Sequence, residues 1–421
     1  MIRLKGGWVA YGKLTAMSVR GWLCAALLLS CGPRTGGSSD PQQDGATVAS
    51  SDMDGDTFTP AQGDCNDFDD STYPGAKEKC DGKDHNCNGI VDDICDDDKD
   101  GYAVLDGGQL PGGDCDDSDP QVNPAALEVP GDSVDNNCDG QQDEPILPCD
   151  SALDGSAASF GKAIELCPPG LMNAAWNSDG ASQARSIRTA YGKSYHPQAG
   201  QNFILLSTGK ALDKSDLGFV LPQKGTEYVH SSVNPAPMPN SNVCYQGPDE
   251  QFVHDYTELT LTLKVPTNVN SFSFDFLFVS AEYPEYVDTA YNDKFLALLD
   301  SQAFKGNVSF DAKGNPITVN AGFFAVCQTA LVCQGAVKNV CAKSVTELQG
   351  TGYDEKDPDD FTRPIGGGTG WLTTTAPVVP GETATLRFII FDERDHFYDS
   401  SVLIDHFRWA AQAAKKPVTI Q

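Results

Sequence analysis

The chain has 421 residues, enough for two or three domains, and a formal net charge of −30. So acidic a chain excludes nucleic acid as a partner, because phosphate recognition needs a basic footprint. The charge is uneven: residues 52–148 hold 27 Asp and Glu against 4 Lys and no Arg, a balance of −23.

Residues 22–29 (WLCAALLL) form an apolar run of eight behind Arg20. That is too short to span a bilayer but suits the core of a signal peptide. The run ends in Leu28-Leu29-Ser30-Cys31, which resembles a bacterial lipobox with Cys31 as the lipidated first residue of the mature chain. Gly32, in place of Asp, fits sorting to the outer membrane by the Gram-negative rule, so a lipid-anchored surface protein is expected, with plain secretion as the alternative. Met17 offers a more ordinary start for such a signal. Residues 32–51 are rich in Gly, Ser, Pro and Gln and read as a flexible linker. Export makes disulfides the default state of the cysteines. No CxxC or HExxH supports zinc.

The acidic segment 52–148 is an internal repeat. Asp64-Cys65-Asn66-Asp67 matches Asp114-Cys115-Asp116-Asp117, Pro74-Gly75-Ala76 matches Pro124-Ala125-Ala126, and Asn86-Cys87-Asn88-Gly89 matches Asn137-Cys138-Asp139-Gly140. Upstream, aligning the Asp-Gly pairs sets Asp52-x-Asp54-Gly55 on Asp98-x-Asp100-Gly101. Alternating carboxylates beside a turn glycine converge on one side of a loop, as in calcium loops, although here the glycine stands fourth rather than sixth. The candidate ligands are Asp52, Asp54, Asp56, Asp64 and Asp67 in one copy and Asp98, Asp100, Asp114 and Asp117 in the other, with Ca²⁺ the expected ion. Bound cations and disulfides would replace the apolar core that this segment lacks.

The second copy keeps the equivalents of Cys65 and Cys87 but has Pro130 and Ile146 where the first has Cys80 and Cys95. Paired cysteines tend to be lost together, which predicts Cys65 with Cys87, Cys80 with Cys95, and Cys115 with Cys138. The segment resembles the metal-binding-motif repeats of secreted bacterial proteins, and through them the calcium-rich repeats of thrombospondins.

From 149 the composition becomes that of an ordinary globular domain. Cys149 and Cys167 bracket a short helical pattern with Phe160, Ala163 and Ile164 on one face and are expected to bridge. The pairing of Cys244, Cys327, Cys333 and Cys341 stays open. Beyond it the signal is β: Leu259, Leu261, Leu263 and Val265 alternate with polar residues, Phe272, Phe274, Phe276 and Phe278 alternate with Ser273, Asp275, Leu277 and Val279, and 385–391 and 401–409 are two further strands. The expected class is mainly β, an antiparallel β-sandwich over 149–413 with a tail at 414–421, behind a loop-rich segment held by disulfides and metal. Gly366–Gly370 reads as a flexible turn, because no helix pattern follows it as a phosphate loop would require.

Residues 272–300, with SAEYPEY and Asn292-Asp293, and residues 366–409, with Trp371-Leu372 and Asp399-Ser400-Ser401, resemble the choice-of-anchor L domain. The resemblance implies a surface module with no established enzymatic activity. Glu282, Glu285, Asn292 and Asp293 fall in one loop of this region, and Asp392, Glu393, Asp395 and Asp399 in another. If the loops meet, Glu282, Asp293, Asp395 and Asp399 form a second candidate calcium site. Tyr283, Tyr286, Tyr291, Phe397 and Tyr398 lie beside these acids, placed either to stack on sugar rings or to rim the core. The expected protein is non-enzymatic: an acidic stalk presenting a sandwich to a surface protein or glycan. The alternatives are a carbohydrate-binding adhesin module and a secreted hydrolase.

Overall fold

The computed structural model describes residues 51–79, 81–105, 111–129, 132–144, 148–176, 182–226, 232–235, 251–287, 289, 291–320, 322–327, 341–356 and 364–421. The signal run and Cys31, together with Cys80, Cys244 and Cys333, lie outside them. The described part is mainly β, with two antiparallel sheets in the C-terminal part and disulfides in the N-terminal segment.

The described residues of 51–148 contain turns, one 3₁₀ turn at Pro60–Gln62, and neither an α-helix nor a ladder strand. Disulfides join Cys65 to Cys87 and Cys115 to Cys138, with nearly the same geometry in each copy. In both, the N–H of the first cysteine donates to the second sulfur at 3.1 Å. Cys95 is also disulfide-bonded. In the C-terminal part, disulfides join Cys149 to Cys167 and Cys327 to Cys341.

Helix α1 is Ala157–Lys162, capped by Ser156, whose side chain accepts from the Ser159 N–H. The strands are β1 Leu171–Trp176, β2 Arg185–Arg188, β3 Phe203–Ser207, β4 Ser232–Val233, β5 Phe252–Lys264, β6 Ser271–Ser280, β7 Lys294–Asp300, β8 Lys305–Asn307, β9 Glu355–Lys356, β10 Pro364–Ile365, β11 Gly367–Gly368, β12 Leu372–Pro377, β13 Thr383–Asp392, β14 Ser400–Ala410 and β15 Val418–Ile420. One sheet runs β1-β5-β13-β7-β8, with β4 on β5; the other runs β15-β12-β6-β14-β3-β2, with β11 on β6. Strands β9 and β10 form a separate pair.

The main core lies between the sheets. Leu259, Leu261 and Leu263 of β5, Leu386 and Phe388 of β13, and Phe272, Phe274, Phe276 and Phe278 of β6 all fill it. The period of two in β5 and β6 places these residues on one face of each strand. Phe274 meets Phe388 edge-on across the sandwich, with ring centroids 5.0 Å apart.

The opposite face of β6 departs from the alternation. Leu277 and Val279 are buried as well, in a second apolar cluster with Tyr191, Phe203, Leu205, Tyr353 and Leu403. Segments distant in sequence fold over this sheet, so both faces of β6 are covered. The glycine run is likewise packed rather than a free turn. Gly367 and Gly368 pair with Ser280 and Val279, and a Cβ on Gly367 would lie 2.8 Å from the Tyr283 ring.

Candidate functional site

In the first repeat Asp52, Asp54 and Asp56 bring carboxylate oxygens within 4.8 Å of one another. Backbone N–H groups build the turn. Gly55 and Thr57 donate to Asp52 Oδ1 and Oδ2 at 2.6 and 3.0 Å, Asp56 donates to Asp54 Oδ1 at 3.2 Å, and Phe58 donates to Asp56 Oδ1 at 2.7 Å. Asp67 Oδ1 accepts from the Met53 N–H at 3.2 Å, and Asp64 Oδ1 accepts from the Asn66 N–H at 2.8 Å. Asp54, Asp56 and Asp64 thus each use one oxygen on the backbone. Their Oδ2 atoms are buried and have no hydrogen-bond partner.

The second repeat has the same construction. Asp100 and Gly101 donate to Asp96 Oδ1 and Oδ2, each at 3.0 Å; Asp100 also donates to Asp98 Oδ1 at 3.1 Å, and Tyr102 donates to Asp100 Oδ1 at 2.8 Å. Asp117 Oδ1 accepts from the Asp97 N–H at 3.2 Å, and Asp114 Oδ1 from the Asp116 N–H at 2.9 Å. The orphaned buried oxygens are again three Oδ2 atoms, those of Asp98, Asp100 and Asp114. The acids lie close together here, in the sets Asp96, Asp98, Asp117 and Asp98, Asp100, Asp114. Partial burial, and then the charges of neighbouring acids, push Asp98 and Asp117 up to about 6.

These bonds correct the register of the repeat by two residues. Asp52 corresponds to Asp96, Asp54 to Asp98, Asp56 to Asp100 and Phe58 to Tyr102. Each loop has two left-handed residues, Gly55 and Thr57 (φ 91° and 85°) against Lys99 and Gly101 (φ 70° and 98°). Glycine occupies the first of these positions in one copy and the second in the other, so aligning glycine on glycine slips the register. With Asp96 as the first position, Gly101 is the sixth, where a calcium loop places it. Asp96 was missing from the sequence-derived set.

A further pair of loops was also missed. Asp84 Oδ1 and Oδ2 accept from the Asn88 and Gly89 N–H groups at 3.2 and 2.8 Å; Asp135 does the same with Asp139 and Gly140 at 3.1 and 2.8 Å. Asn86 and Asn137 Oδ1 accept from the Asn88 and Asp139 N–H groups, each at 3.0 Å. This is the bonding pattern of Asp96 to Gly101. The spacing Asp-x-Asn-x-Asn/Asp-Gly carried the signal. Beside these loops Glu78 Oε2, Glu128 Oε2 and Glu144 Oε2 are buried without a hydrogen-bond partner.

At the sandwich end the loops after β6 and β13 do meet. Glu282 Oε2 accepts from the Asp293 N–H at 3.1 Å, and Lys294 Nζ bonds Glu393 Oε1 at 2.6 Å. Burial first, and charged neighbours next, raise the Glu282 carboxyl well above the usual range. Asp399 turns to Thr226 instead, accepting from its N–H at 3.0 Å and its Oγ1 at 3.3 Å. Asp395 is half-buried and accepts from the Phe397 N–H at 3.1 Å. Asp392 ends strand β13 rather than lying in the loop. Of the aromatics, Tyr283 is buried and stacks on Phe324 at 5.2 Å, Tyr286 packs on Tyr291 and Tyr398 at 5.7 and 5.0 Å, and Phe397 is exposed.

The family model described as "Putative metal-binding motif" matches twice, at residues 64–93 and 114–144. These spans hold Asp64, Asp67, Asp114, Asp117 and both Asp-x-Asn-x-Asn/Asp-Gly loops. A search of curated proteins finds no match. The model described as "Choice-of-anchor L domain" matches residues 176–407, more than half of the chain and most of the sandwich. The two matches together point to a cell-surface or secreted protein. The chain belongs to the choice-of-anchor L domain family.

Proposed function

We propose that this chain is a calcium-binding, non-enzymatic surface lipoprotein whose two acidic repeats present the sandwich to a partner outside the cell. One observation carries the reading: the buried oxygens of Asp54, Asp56 and Asp64 lack partners, and so do those of their structural equivalents Asp98, Asp100 and Asp114. Buried polar groups are nearly always bonded, so the same three orphans in two copies call for a ligand of opposite charge. All six atoms are carboxylate oxygens on turn-rich loops, a donor set that suits calcium better than softer metals. Magnesium demands a stricter octahedron. A bound ion would also offset the repulsion among the 27 acids of this segment. An affinity of about 10⁻⁴–10⁻³ M is typical of extracellular modules.

The non-enzymatic part of the reading is supported by the families matched, neither of which is an enzyme family. Lipid attachment at Cys31 is supported by the apolar signal run and the lipobox-like Leu28-Leu29-Ser30-Cys31 that ends it. Calorimetric titration of the full chain with calcium, magnesium and copper tests the metal. Calcium should bind most tightly, and Asp98→Asn with Asp114→Asn should remove the heat of the second repeat. Tighter binding of copper, or no calcium heat, overturns the reading. Palmitate labelling of the wild type and Cys31→Ser tests the anchor, and equal label in both would reject it.

A further inference from the structure

We propose that the end of the sandwich where β7, β13 and β14 meet binds a divalent, oxygen-seeking cation between Asp293, Asp392 and Ser400, separate from the ions of the repeats. These residues are buried, 0 %, 1 % and 0 % exposed in turn. Asp293 Oδ1, both carboxylate oxygens of Asp392 and Ser400 Oγ have no hydrogen-bond partner.

Strand register brings the three together. Phe391 of β13 pairs with Lys294 of β7, so the next residues outward are Asp392 and Asp293. In the facing sheet Ser400 opens β14 opposite Ser280, the last residue of β6. Thr208, just after β3, connects the two: its Oγ1 lies 3.4 Å from Asp293 Oδ2 and accepts from the Ser400 N–H at 2.8 Å. The site thus spans both sheets at one end of the core.

Charge decides between the possible occupants. The buried ammonium of Lys294 is already engaged by Glu393. Glu282, 1 % exposed, adds a third acid through its bond to the Asp293 N–H. Ionised carboxylates buried without a counter-charge are costly, so such a site takes up either a proton or a cation. One proton shared between Asp293 and Asp392, with the Ser400 hydroxyl turned to Asp293, still leaves Asp392's other oxygen without a partner. A cation satisfies all four. Carboxylate and hydroxyl oxygens are hard donors, which suits calcium or manganese.

The direct test is anomalous diffraction from crystals of the full wild-type chain grown with millimolar manganese or calcium. A peak about 2.3–2.6 Å from Asp293, Asp392 and Ser400 is expected. Peaks in the repeats with none here would overturn the proposal and leave the acids as a proton-sharing pair. Native mass spectrometry gives the second measurement. Asp392→Asn keeps the side-chain shape and should lose one bound ion relative to the wild type, whereas Asp98→Asn should lose ions only from the repeats. An unchanged ion count in a folded Asp392→Asn chain would also reject the site. The two variants separate a failure here from a failure of the repeat reading.

Discussion

Asn268 brackets the backbone of Leu127: its side-chain Oδ1 accepts from the Leu127 N–H at 2.9 Å, and its Nδ2 donates to the Leu127 carbonyl at 2.7 Å. The second repeat is therefore docked on the turn between β5 and β6. Thr267 adds its Oγ1 to Asn123 Oδ1 at 2.6 Å and its N–H to the Ala125 carbonyl at 3.3 Å, while the Leu127 side chain packs on the main core. Asn268→Ala leaves two backbone groups without partners at a site where Asn268 itself is 4 % exposed. A cost of about 1–3 kcal/mol follows. Hydrogen exchange should quicken at the Leu127 amide and stay slow at Leu261 in the centre of β5. Equal protection of Leu127 in variant and wild type would show that the docking does not depend on this bracket.

The corrected register makes its own prediction. If Asp96 is the counterpart of Asp52, Asp96→Asn should loosen the second repeat's loop as Asp52→Asn loosens the first. Asp96 takes the N–H groups of Asp100 and Gly101 with its two oxygens, and Asp52 takes those of Gly55 and Thr57. The Gly101 amide should then exchange faster in Asp96→Asn, with weaker calcium binding in the second repeat and no change in the first. A variant that leaves the Gly101 amide and the calcium isotherm as they were would restore the glycine-on-glycine alignment.

Phe388 sits at the centre of the main core, 0 % exposed, with Phe274 on one side and Phe295 at 6.4 Å on the other. Phe388→Ala should cost about 3–5 kcal/mol, because Phe274 of one sheet and Phe295 of the other would border the hole. Denaturant unfolding measures it, and a loss under about 1 kcal/mol would mean the site collapses freely.

The sandwich was legible because large apolar residues recur at every second position, Leu259, Leu261 and Leu263 in β5 and Phe272, Phe274, Phe276 and Phe278 in β6. Alternation cannot report what covers the far face. Leu277 and Val279 face a second cluster that Tyr191 and Tyr353 reach from distant parts of the chain. The repeats were legible from cysteine spacing, which differs by a single inserted residue between the copies, 22 from Cys65 to Cys87 and 23 from Cys115 to Cys138. In the loop ahead of them glycine is a poor guide to register, since Thr57 and Lys99 hold left-handed turns as Gly55 and Gly101 do, and aligning glycine on glycine slips the copies by two residues. At the sandwich end, acidity placed Glu282, Asp293, Asp395 and Asp399 in one list. The hydrogen bonds that send Asp399 to Thr226, and the strand that carries Asp392 inward, depend on tertiary register. The bridge from Cys327 to Cys341 was one of several pairings the spacing allowed.

The last prediction concerns pH. Glu165, Asp150 and Asp405 gather where the helical segment meets β14 and the loop before β3. The His406 N–H donates to Glu165 Oε2 at 3.1 Å and to Asp405 Oδ1 at 2.7 Å, and the Gln201 N–H donates to Asp150 Oδ2 at 2.6 Å. Glu165 Oε1 and Asp150 Oδ1 are buried without partners. Burial, and then the charges of Asp405 and Asp150, push Glu165 from 4.5 up to about 8, and burial raises Asp405 as well. For an acid whose pKa is raised by folding, the folded chain holds the proton that the unfolded chain has released. Between about pH 4.5 and 8 the folded state therefore binds more protons, and stability falls as pH rises. The contribution is fully present below the unfolded value and lost on passing the folded one. Glu165→Gln removes the titrating group while keeping its shape. With calcium saturating throughout, the wild-type unfolding midpoint should drop relative to the variant's between pH 5 and 8.5, so that the difference between them slopes with pH. A constant difference would mean that Glu165 is ionised across the range, with a counter-charge already in place beside it.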